Sequence, residues 1–205
     1  MKIFISGTDT NVGKTLISSW ITLHTGFAYF KPIQTGTKEG RDSNEVRNLS
    51  HTKIYPEFYS YPEPLSPHLA AELQNDSINI EKIFLPQEKH LVVEGAGGVL
   101  VPINKKHLMI DLIKKLGIPV IVVSRTGLGS INHTLLTLEV FKLHDVEVLG
   151  VIMNGEPNSE NNKAIEFYGH TPILAEFPKL EEVSCNTLKK VALSEKLTQI
   201  LKDKE

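Results

Sequence analysis

Apolar residues in this chain gather in short unbroken runs, separated by polar stretches that carry most of the glycine and proline. Ile3–Ser6, Ala28–Lys31, His90–Glu94, Ile118–Val123, Val146–Met153 and Ile173–Ala175 are strand-length. They run continuously apolar instead of alternating, as strands do when a parallel sheet buries both of their faces. Helix-length stretches lie between them: Lys14 to about His24, Ser43–Leu49, Leu108–Leu116, Ser130–His144, Ser159–Tyr168 and Thr187–Lys202. Ser66-Pro67-His68 has the form of an N-cap followed by proline at the first helical position, and opens a helix through about Leu73. The proline- and aromatic-rich stretch from Thr52 to Pro67 reads as irregular. The alternation predicts one α/β domain over residues 1–205, a doubly wound, mostly parallel sheet with helices on both faces.

Composition adds exclusions. The 205 residues carry 22 Lys+Arg against 24 Asp+Glu, a net charge of −2, so the basic excess of a nucleic-acid or anionic-membrane binder is lacking. With 40% hydrophobic and 22% charged residues the chain reads as globular and not disordered. Cys185 is the sole cysteine, so no intrachain disulfide is expected. The longest apolar runs are too short to span a bilayer, and the expected location is the cytoplasm.

The chemistry starts at Gly7-Thr8-Asp9-Thr10-Asn11-Val12-Gly13-Lys14-Thr15. This is a phosphate-loop pattern with five residues between the glycines where the usual spacing has four. A strand, a loop and a helix in this order let successive backbone N–H groups converge on phosphate oxygens. Gly13 permits close approach, Lys14 brings charge to the outer phosphates, and the Thr15 hydroxyl suits Mg²⁺. The plain alternative is a strand-to-helix turn with an exposed lysine. Glu94, closing Leu91-Val92-Val93-Glu94 before Gly95-Ala96-Gly97-Gly98, sits where a parallel sheet places its ligands. It reads as a carboxylate for that cation, or as a solvated strand end. Asp42 reads as a second such carboxylate, or, with Ser43, as a helix cap. Lys31 ends a strand in Phe30-Lys31-Pro32; it suits charge developing on a transferred phosphoryl group, or simple solvation. Gly127-Leu128-Gly129-Ser130-Ile131-Asn132 opens a helix and offers N–H groups to an anion, or is an ordinary helix start capped by Ser130.

Taken in order, Gly7–Thr15, Lys31-Pro32 with Thr35-Gly36, Ser66-Pro67-His68, Glu94–Gly98, Gly127–His133 and Asn154 make the chain resemble the dethiobiotin synthetase family. The resemblance implies an ATP-dependent ligase of biotin biosynthesis. That family condenses 7,8-diaminopelargonate with CO₂ and ATP, giving dethiobiotin, ADP and phosphate. One amine captures CO₂ as a carbamate, the carbamate attacks the γ-phosphate, and the neighbouring amine closes the ring and expels phosphate.

By the same resemblance, Asn11, Val12, Gly13, Lys14, Thr15 and Leu16 cradle the nucleotide, and Gly95, Ala96 and Gly97 line it. Thr15, Asp42 and Glu94 hold Mg²⁺. Lys31 and Lys14 are catalytic. Thr10 and Thr35 contact the diamine or its carbamate, while Gly129, Ser130, Ile131 and Asn132 reach the substrate carboxylate from the second subunit of a homodimer. Asn154 reads adenine, and Phe177, Pro178 and Lys179 add base contacts largely through backbone. Two positions depart from the family pattern: Asn11 replaces a common acidic residue, and Ala175 a frequent glycine.

The remaining candidates read plainly. His68 and His133 lack companion ligands at metal spacing. Cys185 is a bystander. Lys179 to Lys204 carries mixed charges, as on the solvated face of an amphipathic closing helix. The rival functions are a regulatory ATPase switch of the partitioning or metallochaperone type, an amidoligase of the cobyrinate-diamide type, and a small-molecule kinase. The switch often carries an extra lysine early in its loop, and Gly7-Thr8-Asp9-Thr10 has none. The amidoligase usually carries a glutaminase cysteine, for which Cys185 has no suitable context. A kinase leaves Lys31-Pro32 and Gly127–His133 without a role.

Overall fold

A computed structural model describes residues 1–202, so the charged stretch from Lys179 is described up to Lys202 and its far end at Lys204 lies outside the described residues. The strands are β1 (Lys2–Gly7), β2 (Ala28–Phe30), β3 (Ile33–Gln34), β4 (Ile54–Tyr55), β5 (Tyr59–Ser60), β6 (Leu91–Gly98), β7 (Val120–Arg125), β8 (Val148–Asn154) and β9 (Ile173–Phe177). The helices are α1 (Lys14–Thr25), α2 (Asp42–Ser50), α3 (Pro67–Glu72), α4 (Met109–Leu116), α5 (Ser130–Leu143), α6 (Ser159–Gly169), α7 (Cys185–Lys190) and α8 (Glu195–Lys202). Seven strands form one sheet in the order β4-β2-β6-β1-β7-β8-β9, with every neighbouring pair parallel. β3 and β5 pair separately, also in parallel.

Two apolar layers sandwich the sheet. On one face, Ile3 and Ile5 of β1, Tyr29 of β2 and Val92 of β6 pack against Trp20 of α1, Val46 of α2, Leu188 of α7 and Leu197 of α8. On the other, Phe4, Phe30, Leu91 and Val93 meet Ala70 of α3, Ile113 of α4, Phe141 of α5 and Ile165 of α6. The period of two along each strand assigns neighbouring residues to opposite layers. The chain winds to one side of β1 first and to the other from β7 onward. The reversal opens a crevice at the carboxyl ends of the central strands, where doubly wound folds bind ligands.

Four local expectations are corrected. Gly95–Gly98 is extended strand, not loop: β6 continues alongside β1 until Gly98 pairs with Gly7. The stretch from Thr52 to Pro67 holds β4 and β5, because β2 and β3 supply backbone partners. The predicted helix over 187–202 is two helices. Trp20 Nε1 donates to the Val191 carbonyl at 2.7 Å, and the Ser194 hydroxyl bonds the Leu174 carbonyl while accepting from the Leu197 N–H at 3.1 Å, so Ser194 starts α8 afresh. Pro67 does hold the first helical position of α3, but the Ser66 hydroxyl lies 3.0 Å from His68 Nδ1 and makes no cap bond to the backbone.

Candidate active site

The loop after β1 is shaped by two left-handed residues, Asn11 (φ 59°) and Gly13 (φ 96°). Asparagine is among the few side chains that tolerate this conformation, which gives a local reason for its presence in the loop. At Gly13 a Cβ would stand 2.1 Å from Asn154 Nδ2, so only glycine fits. Asn154, arriving on β8, donates Nδ2–H to the Val12 carbonyl at 2.9 Å and ties the loop to the sheet. The Val12 side chain is buried in the core. Lys14 Nζ folds back onto the Asp9 carbonyl at 3.0 Å. Burial, and then the nearby Lys31 charge, lower its pKa to about 8.

Glu94 is 1% exposed and fully engaged. Its Oε1 accepts from Thr15 Oγ1 at 2.9 Å and from Lys31 Nζ at 3.0 Å; its Oε2 accepts from Ser18 Oγ at 2.8 Å and Tyr29 OH at 3.0 Å. Lys31 also donates to the Gly95 carbonyl at 3.2 Å and forms an ion pair with Asp42. Burial alone would pull the Lys31 ammonium down, but Glu94 and Asp42 outweigh it and hold it above the ordinary lysine value. Burial likewise opposes ionisation of Glu94, and Lys31 with the hydrogen bonds reverses the sign, so the carboxyl sits below its usual range. Burial beside Glu94 pushes the Tyr29 phenol well up, so it remains a donor.

Asp42 does not cap α2. Arg41 holds the cap position, and Asp42 stands in the first turn with its N–H bonded to Gln34 Oε1 at 3.0 Å and its carboxylate turned to Lys31. Ser43 and Arg41 both donate to Glu57, at 2.6 and 3.2 Å, fixing the start of the helix.

One cavity of about 1100 Å³ gathers Thr10, Asn11, Gly13, Lys14, Thr15, Leu16, Lys31, Thr35, Asp42, Glu94, Ala96 and Gly97. Other expected site residues lie elsewhere. Phe177 is fully buried against Trp20 (ring centroids 5.1 Å apart), so its side chain meets the core, while Pro178 and Lys179 are exposed beyond it. Ser130 does not cap α5: Gly129 holds that position at φ 89°, and the buried Ser130 hydroxyl accepts from Asn161 Nδ2 at 3.3 Å. Gly129, Ser130, Ile131 and Asn132 are not among the residues lining the cavity of their own chain. Ala175 is buried in the layer that also holds Leu174 and Phe177.

Ser18, Tyr29, Gln34 and Glu45 complete the geometry without having stood out in the sequence. Ser18 lies one helical turn beyond Thr15, and Tyr29 two strand positions before Lys31, so helix and strand periods are the signals that point to them. Glu45 lines the cavity with its side chain exposed, and its carboxyl is raised by partial desolvation there and then by Asp42 and Glu94.

Among the described residues no group of three or more acidic, His or Cys side chains could form a metal cage by itself. Two carboxylates and a hydroxyl beside a phosphate loop nevertheless suit a hard cation that completes its shell with water and phosphate oxygens. Thr15 donates its hydroxyl hydrogen bond to Glu94, which leaves the hydroxyl lone pairs available.

Sheet order, loop and cavity define a P-loop nucleotide-binding protein. Residues 1–187 match a family model described as an AAA domain. The structure resembles a ParA family ATPase from Chlorobium tepidum TLS with a TM-score of 0.56, covering 98% of this chain and 96% of that one; at 14% identity the likeness shows the fold alone. The sequence is 54% identical over 200 residues to the ATP-dependent dethiobiotin synthetase BioD of Lawsonia intracellularis, covering 98% of each chain. It is 47% identical over 188 residues to that of Paramagnetospirillum magneticum, covering 91% of this chain and 92% of the other. The chain belongs to the dethiobiotin synthetase family, whose P-loop implies use of a nucleotide with a divalent metal.

Proposed function

We propose that the chain is an ATP-dependent dethiobiotin synthetase acting on 7,8-diaminopelargonate, CO₂ (or bicarbonate as its source) and ATP, with Mg²⁺ as the metal. The observation that carries this reading is Lys31, buried between Asp42 and Glu94 within one cavity that runs from the phosphate loop to Thr35. A single cation there can face both a γ-phosphate and an attacking carbamate.

Backbone N–H groups from Asn11 to Leu16 cradle the phosphates, and Lys14 leaves the Asp9 carbonyl to neutralise them. Lys31 holds the carbamate oxygen near the γ-phosphate and stabilises charge on the phosphoryl group as it moves. Such transfer depends mainly on positioning and electrostatics, which these two lysines supply without a covalent nucleophile. Thr35 and Thr10 orient the diamine, so that its second amine attacks the carbamic–phosphoric anhydride and phosphate departs. Thr15, Asp42 and Glu94 would hold Mg²⁺, which supplies Lewis-acid neutralisation of phosphate charge. Ala96 and Gly97 line the nucleotide without side chains that intrude on it, and Gly95 gives its carbonyl to Lys31. Asn154 stands beside the loop for the base, with the backbone of Phe177, Pro178 and Lys179.

Gly129, Ser130, Ile131 and Asn132 serve the substrate carboxylate of a partner copy in a homodimer, a reading that fits their not lining the cavity of their own chain. The expected location remains the cytoplasm; among the described residues no helix is long and apolar enough to cross a membrane.

The test is phosphate release from MgATP and bicarbonate, with and without the diamine, with product mass recorded. Release that requires the diamine is expected, with a product heavier than the diamine by one carbonyl less the two hydrogens that its amines give up on ring closure. Hydrolysis indifferent to the diamine would replace this reading with the regulatory ATPase switch.

A further inference from the structure

We propose that Tyr29 and Ser18 are positioning residues that lock the Glu94 carboxylate from behind, so that its other oxygen serves the divalent cation. The alternation of β2 explains how. Tyr29 pairs with Val92 and Phe30 with Val93, so Tyr29, Lys31 and Glu94 all project to the face covered by α1. Ser18 descends onto the same point from α1, three residues after Thr15. The carboxylate is thus held on two sides by two different kinds of donor.

Toward the cavity, Oε1 meets Thr15 and the Lys31 cation, groups that the reaction uses. Away from it, Oε2 meets two neutral hydroxyls, Ser18 at 2.8 Å and Tyr29 at 3.0 Å. Neutral donors orient a carboxylate without cancelling its charge, which stays available to a cation. Tyr29 suits this task because its ring is fully buried in the apolar layer, leaving the phenol oxygen little freedom to follow a moving partner. Ser18 is equally buried. Removing either hydroxyl leaves part of a buried carboxylate without its donor, and Glu94 can then turn to recover one from the cavity side.

The inference rests on the reading above in one respect, that a divalent cation is held beside Glu94. It is tested by calorimetric binding of a non-hydrolysable ATP analogue to the full chain, over a magnesium series and in EDTA. Tyr29→Phe and Ser18→Ala are each expected to raise the magnesium needed for half-maximal tightening by roughly tenfold or more. Both should keep a cooperative unfolding transition and the metal-free affinity. Tyr61→Phe removes another buried phenol, bonded to Asp76 at 2.8 Å, and is expected to leave the magnesium requirement unchanged. An unaltered requirement in either folded variant overturns the proposal, as does an equal loss of metal-free affinity or an equal shift in Tyr61→Phe. The two readings fail separately. Diamine-independent hydrolysis by the unmodified chain removes ring closure and leaves the lock, while unchanged magnesium dependence removes the lock and leaves ring closure.

Discussion

Lys31 and Lys14 lie in one cavity, yet their surroundings push them in opposite directions. Lys31, clasped by Glu94 and Asp42, stays charged, and it is the group aimed at both reacting oxygens in the proposed chemistry. Lys31→Ala is therefore expected to lower diamine-dependent turnover by about a hundredfold or more, the scale of losing an aimed charge in a dry site. Calorimetry on the same variant should still show nucleotide binding, since the loop itself is untouched. Lys14 is held down instead, from 10.5 to about 8. Above the lower value the unfolded chain retains a proton that the folded chain has released, so Lys14 should make stability of the nucleotide-free protein rise with pH. The rise should hold up to the ordinary tyrosine value of 10.0, where the raised Tyr29 phenol begins to act in the opposite sense. Urea midpoints measured at several pH values check this, and Lys14→Met should abolish the rise.

The secondary elements carry the site by their ends. β1 and β6 finish side by side, which extends the glycines after Glu94 and brings Glu94 behind Thr15 and Ser18 of α1. α2 begins on Gln34 and is braced by Glu57, so Asp42 enters with its carboxylate toward Lys31. Far from the cavity chemistry, the restart of α8 at Ser194 joins the last helix to β9. Ser194→Ala should cost about 1 kcal/mol of stability, as loss of a capping hydroxyl does. Equilibrium unfolding will show it, with nucleotide affinity unchanged. The break was hidden in the sequence because the residues from Thr187 onward have acceptable helical periodicity; Trp20 and Leu174, which interrupt it, come from other elements.

At the scale of the whole molecule, the segment Gly129–Asn132 does not line the cavity of its own chain. If a partner copy receives it, each site of a dimer draws on both chains. Two inactive variants, Lys31→Ala and Asn132→Asp, should then restore activity when mixed and allowed to exchange subunits. Random exchange of equal amounts makes half of the dimers mixed, each with one intact site, so about a quarter of the unmodified activity should return in a two-fold symmetric assembly. Mixing that restores nothing, with exchange verified by mass, would assign the segment a role within its own subunit or none at this site.

The sequence by itself determined the α/β class, the parallel sheet and the phosphate loop, because each depends on neighbours along the chain: unbroken apolar runs, a strand-loop-helix order, a glycine before Lys14. It also singled out Lys31 and Glu94 as strand-end charges. Whether these were solvated or joined was decided only by tertiary structure, since β2 and β6 must pair in one register for both side chains to project to the same face. The same dependence left Asp42 suspended between cap and ligand until Lys31 was placed opposite it. It concealed Tyr29 and Ser18 among ordinary strand and helix residues, and it put Asn154 on the Val12 carbonyl. A buried charge acquires its chemistry from partners distant in sequence, and the direction in which each partner points is set by register and packing.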